Sequence, residues 1–252
     1  MPHLIIGDKA VPIAALILDK DGTLHRFDSF WVPLVEARLA ALTDAVAHPA
    51  DSLRRPFGIT AAGTVRPDGL LAQGTRAEAP AVATAWLHDR GLGWMAAREA
   101  AQSAFDRADA QAQPEKRLEP IAGLRPWLES WIAAGGRCAI ASTASRRDID
   151  TALSVLAIRP FFPFCLGGDE VQAPKPDPEA VRRLCGQLQV GPEAVAVVGD
   201  GLNDMLMGRA AGVGATIGVL SGVDTAATLG PHADLLLPDL TQLRWRGVDI
   251  NS

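Results

Sequence analysis

The sequence predicts an α/β protein built on a doubly wound, Rossmann-like parallel sheet, with a second, smaller, mainly helical domain inserted into it. Two observations carry this. Short apolar runs alternate with helix-like stretches over most of the chain, the pattern of strands buried on both faces beneath covering helices. The alternation fails once: residues 19–136 separate the first run from the second, where a single β-α-β unit needs only about thirty.

Taken in order, the apolar runs are residues 14–18, 137–141, 194–198, 215–220 and 233–237. Each is short and followed by small or acidic residues, as suits buried strands. Helix-like stretches fall at 124–134, behind Pro120, at 147–156 and at 178–188. The insertion is rich in alanine and patterned as helix over 31–46 and 79–110, whereas 49–74 is rich in Pro, Gly and Arg and reads as loop or short extended pieces. Residues 111–120 read as the return linker. The expected domains are 1–28 with 118–252 for the sheet-bearing core and 29–117 for the helical insert.

Composition agrees with a folded chain of this kind and excludes several partners. At 252 residues, 48% hydrophobic and 21% charged, with mean hydropathy +0.12, the chain can bury enough apolar surface to offset its entropy. A net charge of −5 leaves no electrostatic footprint for nucleic acid or an anionic membrane. Cys138, Cys165 and Cys185 are widely spaced in apolar or helical runs, so buried, reduced thiols in a cytoplasmic protein are expected. The first residues lack a basic stretch followed by a long apolar one, and no run approaches the roughly 18 apolar residues of a membrane span. The expectation is a protein neither exported nor inserted.

Four segments carry chemistry. The run 14–18 leads directly into Asp19-Lys20-Asp21-Gly22-Thr23-Leu24, and in an open parallel sheet the carboxyl ends of strands form the ligand crevice. Gly22 permits a sharp turn, so both acids can face that crevice. Two carboxylates there repel unless a cation holds them, and a hard, oxygen-preferring ion such as Mg²⁺ fits. A second acidic pair, Asp200 and Asp204, follows the run 194–198 with glycines on either side of Asp200. Between the pairs come Ser142 and Thr143, after 137–141, and Lys175 in Ala173-Pro174-Lys175-Pro176-Asp177-Pro178. A hydroxyl beside backbone amides and a lysine framed by prolines can bind phosphoryl oxygens.

Each segment alone has a plainer reading, as a turn, a helix cap or a surface lysine. In this order, however, they resemble the haloacid dehalogenase superfamily, particularly its phosphatases with a helical cap inserted after the first motif. The stretch Gly218-Val219-Leu220-Ser221-Gly222-Val223, with Ala233-Asp234-Leu235 beyond it, is similar to phosphoglycolate-phosphatase-like members. The resemblance implies that Asp19 is the nucleophile, Asp21 the general acid/base and Lys175 the stabilising lysine. It implies Ser142 as the phosphate-binding hydroxyl, with Thr143 as the alternative. It implies Asp200 and Asp204 as magnesium acids beside Asp19, with Asp21 ligating through its backbone carbonyl. The implied activity is Mg²⁺-dependent hydrolysis of a small phosphorylated metabolite through a phosphoaspartate. A phosphomutase on the same scaffold is the nearest rival, and a non-catalytic binding module a more distant one. Monomer and homodimer both stay open.

Other residues are read more plainly. Lys20 should point away from the acids by strand alternation. Asn203 either orients the metal acids or is simply exposed. His25 reads as packing or surface rather than a substrate contact. Arg54, Arg55, Arg66 and Arg76 read mostly as a solvated face, and Trp31, Trp86 and Trp94 as the core of the insert or its interface with the sheet-bearing core rather than a stacking platform.

Overall fold

The computed structural model describes residues 1–46, 48–74 and 78–246, and the chain forms two compact units. The first joins Met1–Phe27 to the chain from Leu118 onward; the second is Asp28–Arg117.

Among the described residues the first unit holds nine strands: β1 (His3–Ile6), β2 (Lys9–Pro12), β3 (Ala15–Leu18), β4 (Arg137–Ala141), β5 (Phe164–Leu166), β6 (Val195–Gly199), β7 (Ala215–Val219), β8 (Leu235–Leu237) and β9 (Trp245–Arg246). Six of them form the main sheet in the order β5-β4-β3-β6-β7-β8, with every neighbouring pair parallel. The chain steps outward from β3 to β5, then returns to β3's other side with β6, so β3 and β6 flank the point where strand order reverses. Ligand crevices in such sheets open at that point.

Strand alternation divides the core between two faces. Leu16, Leu18, Ile140 and Val198 pack with Leu124, Leu128 and Trp131 of helix Leu124–Ala133 and with Ile149 and Leu153 of helix Arg146–Val155. Ala15, Ile17, Val195 and Val197 pack with Val181, Leu184 and Leu188 of helix Glu179–Leu188, and with Met207 and Ala211 of helix Leu202–Ala211. All three cysteines are buried and free. Among the described residues no helix is long and apolar enough to cross a membrane.

The structure adds elements that the sequence reading lacks. β1 and β2 form a hairpin across Gly7-Asp8, with Gly7 at φ 58°, and β9 pairs with β1 to make a small antiparallel sheet. Gly-Asp is a recognised two-residue hairpin connection, but β2 has no buried residue and so carries no apolar alternation. β5 has three residues, too few for a periodic signal.

In the second unit, the helix expected from Trp31 begins earlier and spans Phe27–Val46. The stretch 79–110 is two helices, Glu78–Asp89 and Trp94–Ala110, parted at Gly91, which takes φ 98°. Residues 49–74, expected as loop or short extended pieces, contain short helical turns between loops and one extended bridge, Ile59 with Val65. The unit's own core gathers Val35, Leu39 and Leu42 with Phe57, Trp86 and Phe105. Ala97, Ala101 and Ala104 line one stripe of helix Trp94–Ala110 within that core, the repeat that puts small residues on a single helix face.

Trp131 ties the sheet to its helix. It is fully buried, its indole N–H donates to the Arg137 carbonyl oxygen at 3.1 Å, and Trp127 and Trp245 pack on its ring. Trp131→Ala should destabilise the protein by about 3–5 kcal/mol. Trp131→Phe, which loses the indole's hydrogen bond and some volume, should cost about 1–3 kcal/mol. Urea unfolding curves measure both, and a cost below about 1 kcal/mol for the alanine variant would contradict the anchoring role.

Candidate active site

The register of the sheet brings the acidic segments together. Leu18, the last residue of β3, pairs with Ile140 of β4 on one side and Val198 of β6 on the other. Asp19 therefore leaves the sheet level with the ends of both neighbours, its N–H still donating to the Val198 carbonyl oxygen at 2.9 Å. Asp200 follows the end of β6, and helix Leu202–Ala211 begins two residues later. In its first turn Asp204 folds back, Oδ2 accepting the Gly201 N–H at 3.2 Å.

Carboxylate oxygens of Asp19, Asp200 and Asp204 lie within 4.8 Å of one another. Lys175 spans two of them, its Nζ donating to Asp19 Oδ1 and to Asp204 Oδ1, each at 2.6 Å. Burial pushes Asp19 up to about 7, with the charges of Asp204 and Asp21 adding to it and Lys175 opposing. Burial, followed by the charges of Asp19 and Asp204, also raises Asp200 well above the usual carboxylate range. Lys175 is held above its ordinary value: burial alone lowers it, and the two carboxylates more than reverse that. Three acids and one ammonium leave a negative excess in a nearly dry corner. An all-oxygen donor set with that excess suits a small, hard divalent cation, which Asp19, Asp200 and Asp204 could hold.

Ser142 lies buried just past β4, its Oγ accepting the Ala144 N–H at 3.2 Å, while Thr143 is exposed. Asn203 is half-buried in the first turn of helix Leu202–Ala211.

Asp21 stands apart from the triad. Its Oδ1 meets Lys20 Nζ at 2.5 Å and lies 3.1 Å from His25 Nε2; the histidine contact has ion-pair length but lacks hydrogen-bond alignment. Burial alone raises this carboxyl, yet the Lys20 ammonium and the His25 ring outweigh it and hold Asp21 well below the usual range. This corrects the expectation for Lys20, whose side chain is buried against an acid of the motif. Strand alternation does not apply there, because β3 ends at Leu18 and the chain is already turning toward Gly22, at φ 78°. His25 is packed, as its sequence reading has it, but packed on Asp21.

Residues 221–224 form a contact set that the sequence reading missed. Ser221 Oγ donates to the Gly22 carbonyl oxygen at 2.6 Å, and the Val223 N–H donates to Asp200 Oδ2 at 2.9 Å. Asp224 Oδ2 accepts the Leu202 N–H at 2.7 Å, at the start of the helix that carries Asp204. A Cβ on Gly22 or Gly222 would collide with the Asp200 carboxylate. The sequence signals were the Ser-Gly-x-Asp turn after β7 and the resemblance of residues 218–223 to phosphoglycolate-phosphatase-like members, neither of which names these contacts.

Several residues of the second unit have local partners. Arg66 forms a two-pronged pair with Asp68, and Arg54 pairs with Glu36. Arg76 lies outside the described residues. Trp86 is buried and donates to Ser52 Oγ at 2.8 Å, and Trp31 packs edge-on against Phe30. Trp94 departs from the expected core placement: it is 52% exposed and meets only the edge-on ring of His88 among the described aromatic pairs.

A family profile described as haloacid dehalogenase-like hydrolase matches residues 13–212. The chain belongs to the haloacid dehalogenase-like hydrolases. Among curated relatives, it is 33% identical over 117 residues to the pyrophosphatase PpaX of Bacillus velezensis, covering 46% of this chain and 54% of that one. It is 36% identical over 128 residues to a phosphoglycolate phosphatase of Haemophilus influenzae, covering 50% and 56%. The match thus spans about half the length of each. A crystal structure of a predicted phosphoglycolate phosphatase from Haemophilus somnus superposes with TM-score 0.69 at 20% identity, over 92% of this chain and 96% of that one. A haloacid dehalogenase family hydrolase from Deinococcus radiodurans, with bound phosphate and sodium, gives 0.62 at 21% identity, over 90% and 91%. At these identities the superpositions establish the fold. The haloacid dehalogenase match contains Asp19, Asp21, Ser142, Lys175, Asp200 and Asp204 and ends before Ser221.

The raised Asp19 carboxyl sets a pH dependence for the metal-free protein. Between about 4 and about 7 the folded state keeps a proton on Asp19 that the unfolded chain has released, so stability falls as pH rises through that window. In EDTA the decline in melting temperature across that window should be steeper for the native chain than for Asp19→Asn. Parallel profiles would mean that Asp19 is not raised.

Proposed function

We propose that this chain is a Mg²⁺-dependent phosphatase that hydrolyses a small phosphate monoester through an aspartyl phosphate formed on Asp19. The observation that carries this reading is the Asp19, Asp200 and Asp204 cluster with Lys175 across it, set at the reversal point of a parallel sheet. Family membership and relatives named as phosphatases support it.

In the first half, an Asp19 oxygen attacks phosphorus in line and the ester oxygen departs with a proton from Asp21. In the second, Asp21 takes a proton from water as water attacks phosphorus, and the Asp19 carboxylate leaves. Lys175 offsets charge on the nucleophile and the transferring oxygens, and Ser142 or Thr143 with its neighbouring amides binds those oxygens. Asp19, Asp200 and Asp204, with the Asp21 backbone carbonyl, would hold Mg²⁺, which would supply electrostatic stabilisation of the phosphoryl group. The resting contacts of Asp21 favour its carboxylate, the form required by the second half; the proton it gives up in the first half is taken from solvent or from the monoanionic ester as the substrate binds. In this proposal, chemistry belongs to residues 1–28 and 118–252, and leaving-group selection to 29–117. The substrate is a small phosphorylated metabolite in the cytoplasm, with no nucleic acid or membrane partner, in keeping with the net charge of −5.

A phosphate-release screen over metabolite monophosphates and bisphosphates, with and without EDTA, tests the reading. Mg²⁺ should restore turnover after EDTA treatment and should raise the melting temperature, by RT ln(1 + [Mg²⁺]/Kd) in free energy. Asp19→Asn should abolish both turnover and phosphoenzyme. Isomerised sugar phosphate in place of free phosphate would identify a phosphomutase, and full turnover in EDTA would refute the metal assignment.

A further inference from the structure

Two buried side chains, Lys20 and His25, close on Asp21. Lys20 is 3% exposed and His25 is fully buried, so neither contact is a loose surface pair that solvent screens. The His25 ring is fixed at its other nitrogen, where Nδ1 donates to the Arg26 carbonyl oxygen at 3.0 Å. Its backbone is fixed as well. His25 O accepts the Gly22 N–H at 2.9 Å, Leu24 N–H donates to Lys20 O at 3.0 Å, and His25 bridges to Pro120. Neighbouring links, Arg26 N–H to Glu119 O at 2.9 Å and Ile121 N–H to Leu24 O at 3.0 Å, tie this turn to the segment that re-enters the unit. The turn thus carries an imidazole and an ammonium to a single carboxylate oxygen, Asp21 Oδ1.

We propose that Lys20 and His25 are positioning residues that aim the Asp21 carboxylate for the second half-reaction, in which it removes a proton from the attacking water. This rests on the phosphoaspartate reading given above. In that step the water oxygen forms a bond to phosphorus and the bond from phosphorus to the Asp19 oxygen breaks. The electron pair stays on Asp19, and the water proton moves to Asp21, which returns it to the leaving oxygen of the next ester. A carboxylate held at one oxygen by two fixed partners has little rotational freedom, and small misplacements of a catalytic group cost large factors in rate. Attack of Asp19 on an aryl phosphate, whose leaving group departs without help, does not depend on that aim. The two halves of the cycle should therefore respond differently when the grip is removed.

The test uses the full chain with Mg²⁺ and p-nitrophenyl phosphate in rapid-quench experiments, with mass spectrometry following the phosphoryl group on Asp19. In His25→Phe and Lys20→Met, dephosphorylation should slow by about 10-fold to 100-fold, part of the 10²–10⁴ of a general base, while phosphorylation changes by less than about 3-fold. Labelled Asp19 should accumulate, as it should in the reference variant Asp21→Asn. His25→Gln and Lys20→Arg, which shift the contacts on Asp21 Oδ1 without emptying the site, should slow dephosphorylation by about 3-fold to 10-fold with phosphorylation again unchanged, so that some label still accumulates and the test stands even if the first pair fail to fold. Equal slowing of both halves, or no accumulation in any variant of Lys20 or His25 while Asp21→Asn accumulates label, would overturn the positioning role. No label in Asp21→Asn, together with no turnover in the native chain, would instead bring down the phosphoaspartate reading on which it rests.

Discussion

Three carboxylates held within 4.8 Å of one another, in a corner where each is at most 9% exposed, repel strongly enough that the surrounding fold must supply compensation. Lys175 provides one positive charge and divides it between Asp19 and Asp204. Backbone N–H groups supply more: Gly201 reaches Asp204, and Val223 reaches Asp200. These dipoles reduce the cost without cancelling it, as the raised Asp19 and Asp200 carboxyls show. The protein therefore gathers more carboxyl groups than it has positive charge to match, so that the site must take up protons or a cation where a structural core would need neither. Such an excess is expected at a site that must receive a cation or a transferring group.

Meeting that constraint depends on the parallel sheet more than on any single residue. Asp19 and the β6–Asp200 segment approach because β3 and β6 are neighbours in register, although some 180 residues separate them. Gly22 and Gly222 are needed because backbone lies directly against the Asp200 carboxylate, where side chains have no space. The 221–224 turn fastens both acidic loops at once, through Gly22 O and Asp200 Oδ2. Placing the acids at strand ends and in a helix first turn, rather than in long loops, gives the precision that a site of this density requires.

Much of this was legible in the sequence because the signals were local. The run Ala-Leu-Ile-Leu is apolar at every position and becomes β3 with every residue buried, and the acids follow it without a gap. The residues 137–141 become β4 at the same bounds, since a buried parallel strand has a sharp compositional edge. What escaped was set by tertiary contact. Ser221 and Asp224 are ordinary turn residues until the sheet places β7 beside β6. Lys20 was misplaced because alternation was carried past the end of β3, into backbone that had stopped being a strand. Trp94 was misplaced because helical spacing gives a periodicity, whereas the choice of buried face depends on neighbours that the sequence does not name.

The two acids of the first motif are two residues apart and lie in opposite electrostatic environments. Asp19 sits among other carboxylates, with Lys175 shared, and holds its proton up to about 7. Asp21 sits between Lys20 and His25 and stays ionised far below that. When neighbouring groups have their affinities for protons driven apart, the environments rather than the residue types assign the roles. Here the split has a specific sense. Asp21 is a carboxylate in the resting arrangement, whereas positive charge added beside Lys175 would favour the carboxylate form of Asp19, the form that acts as a nucleophile. Occupancy of the acidic cluster and activation of the proposed nucleophile are thus one electrostatic event.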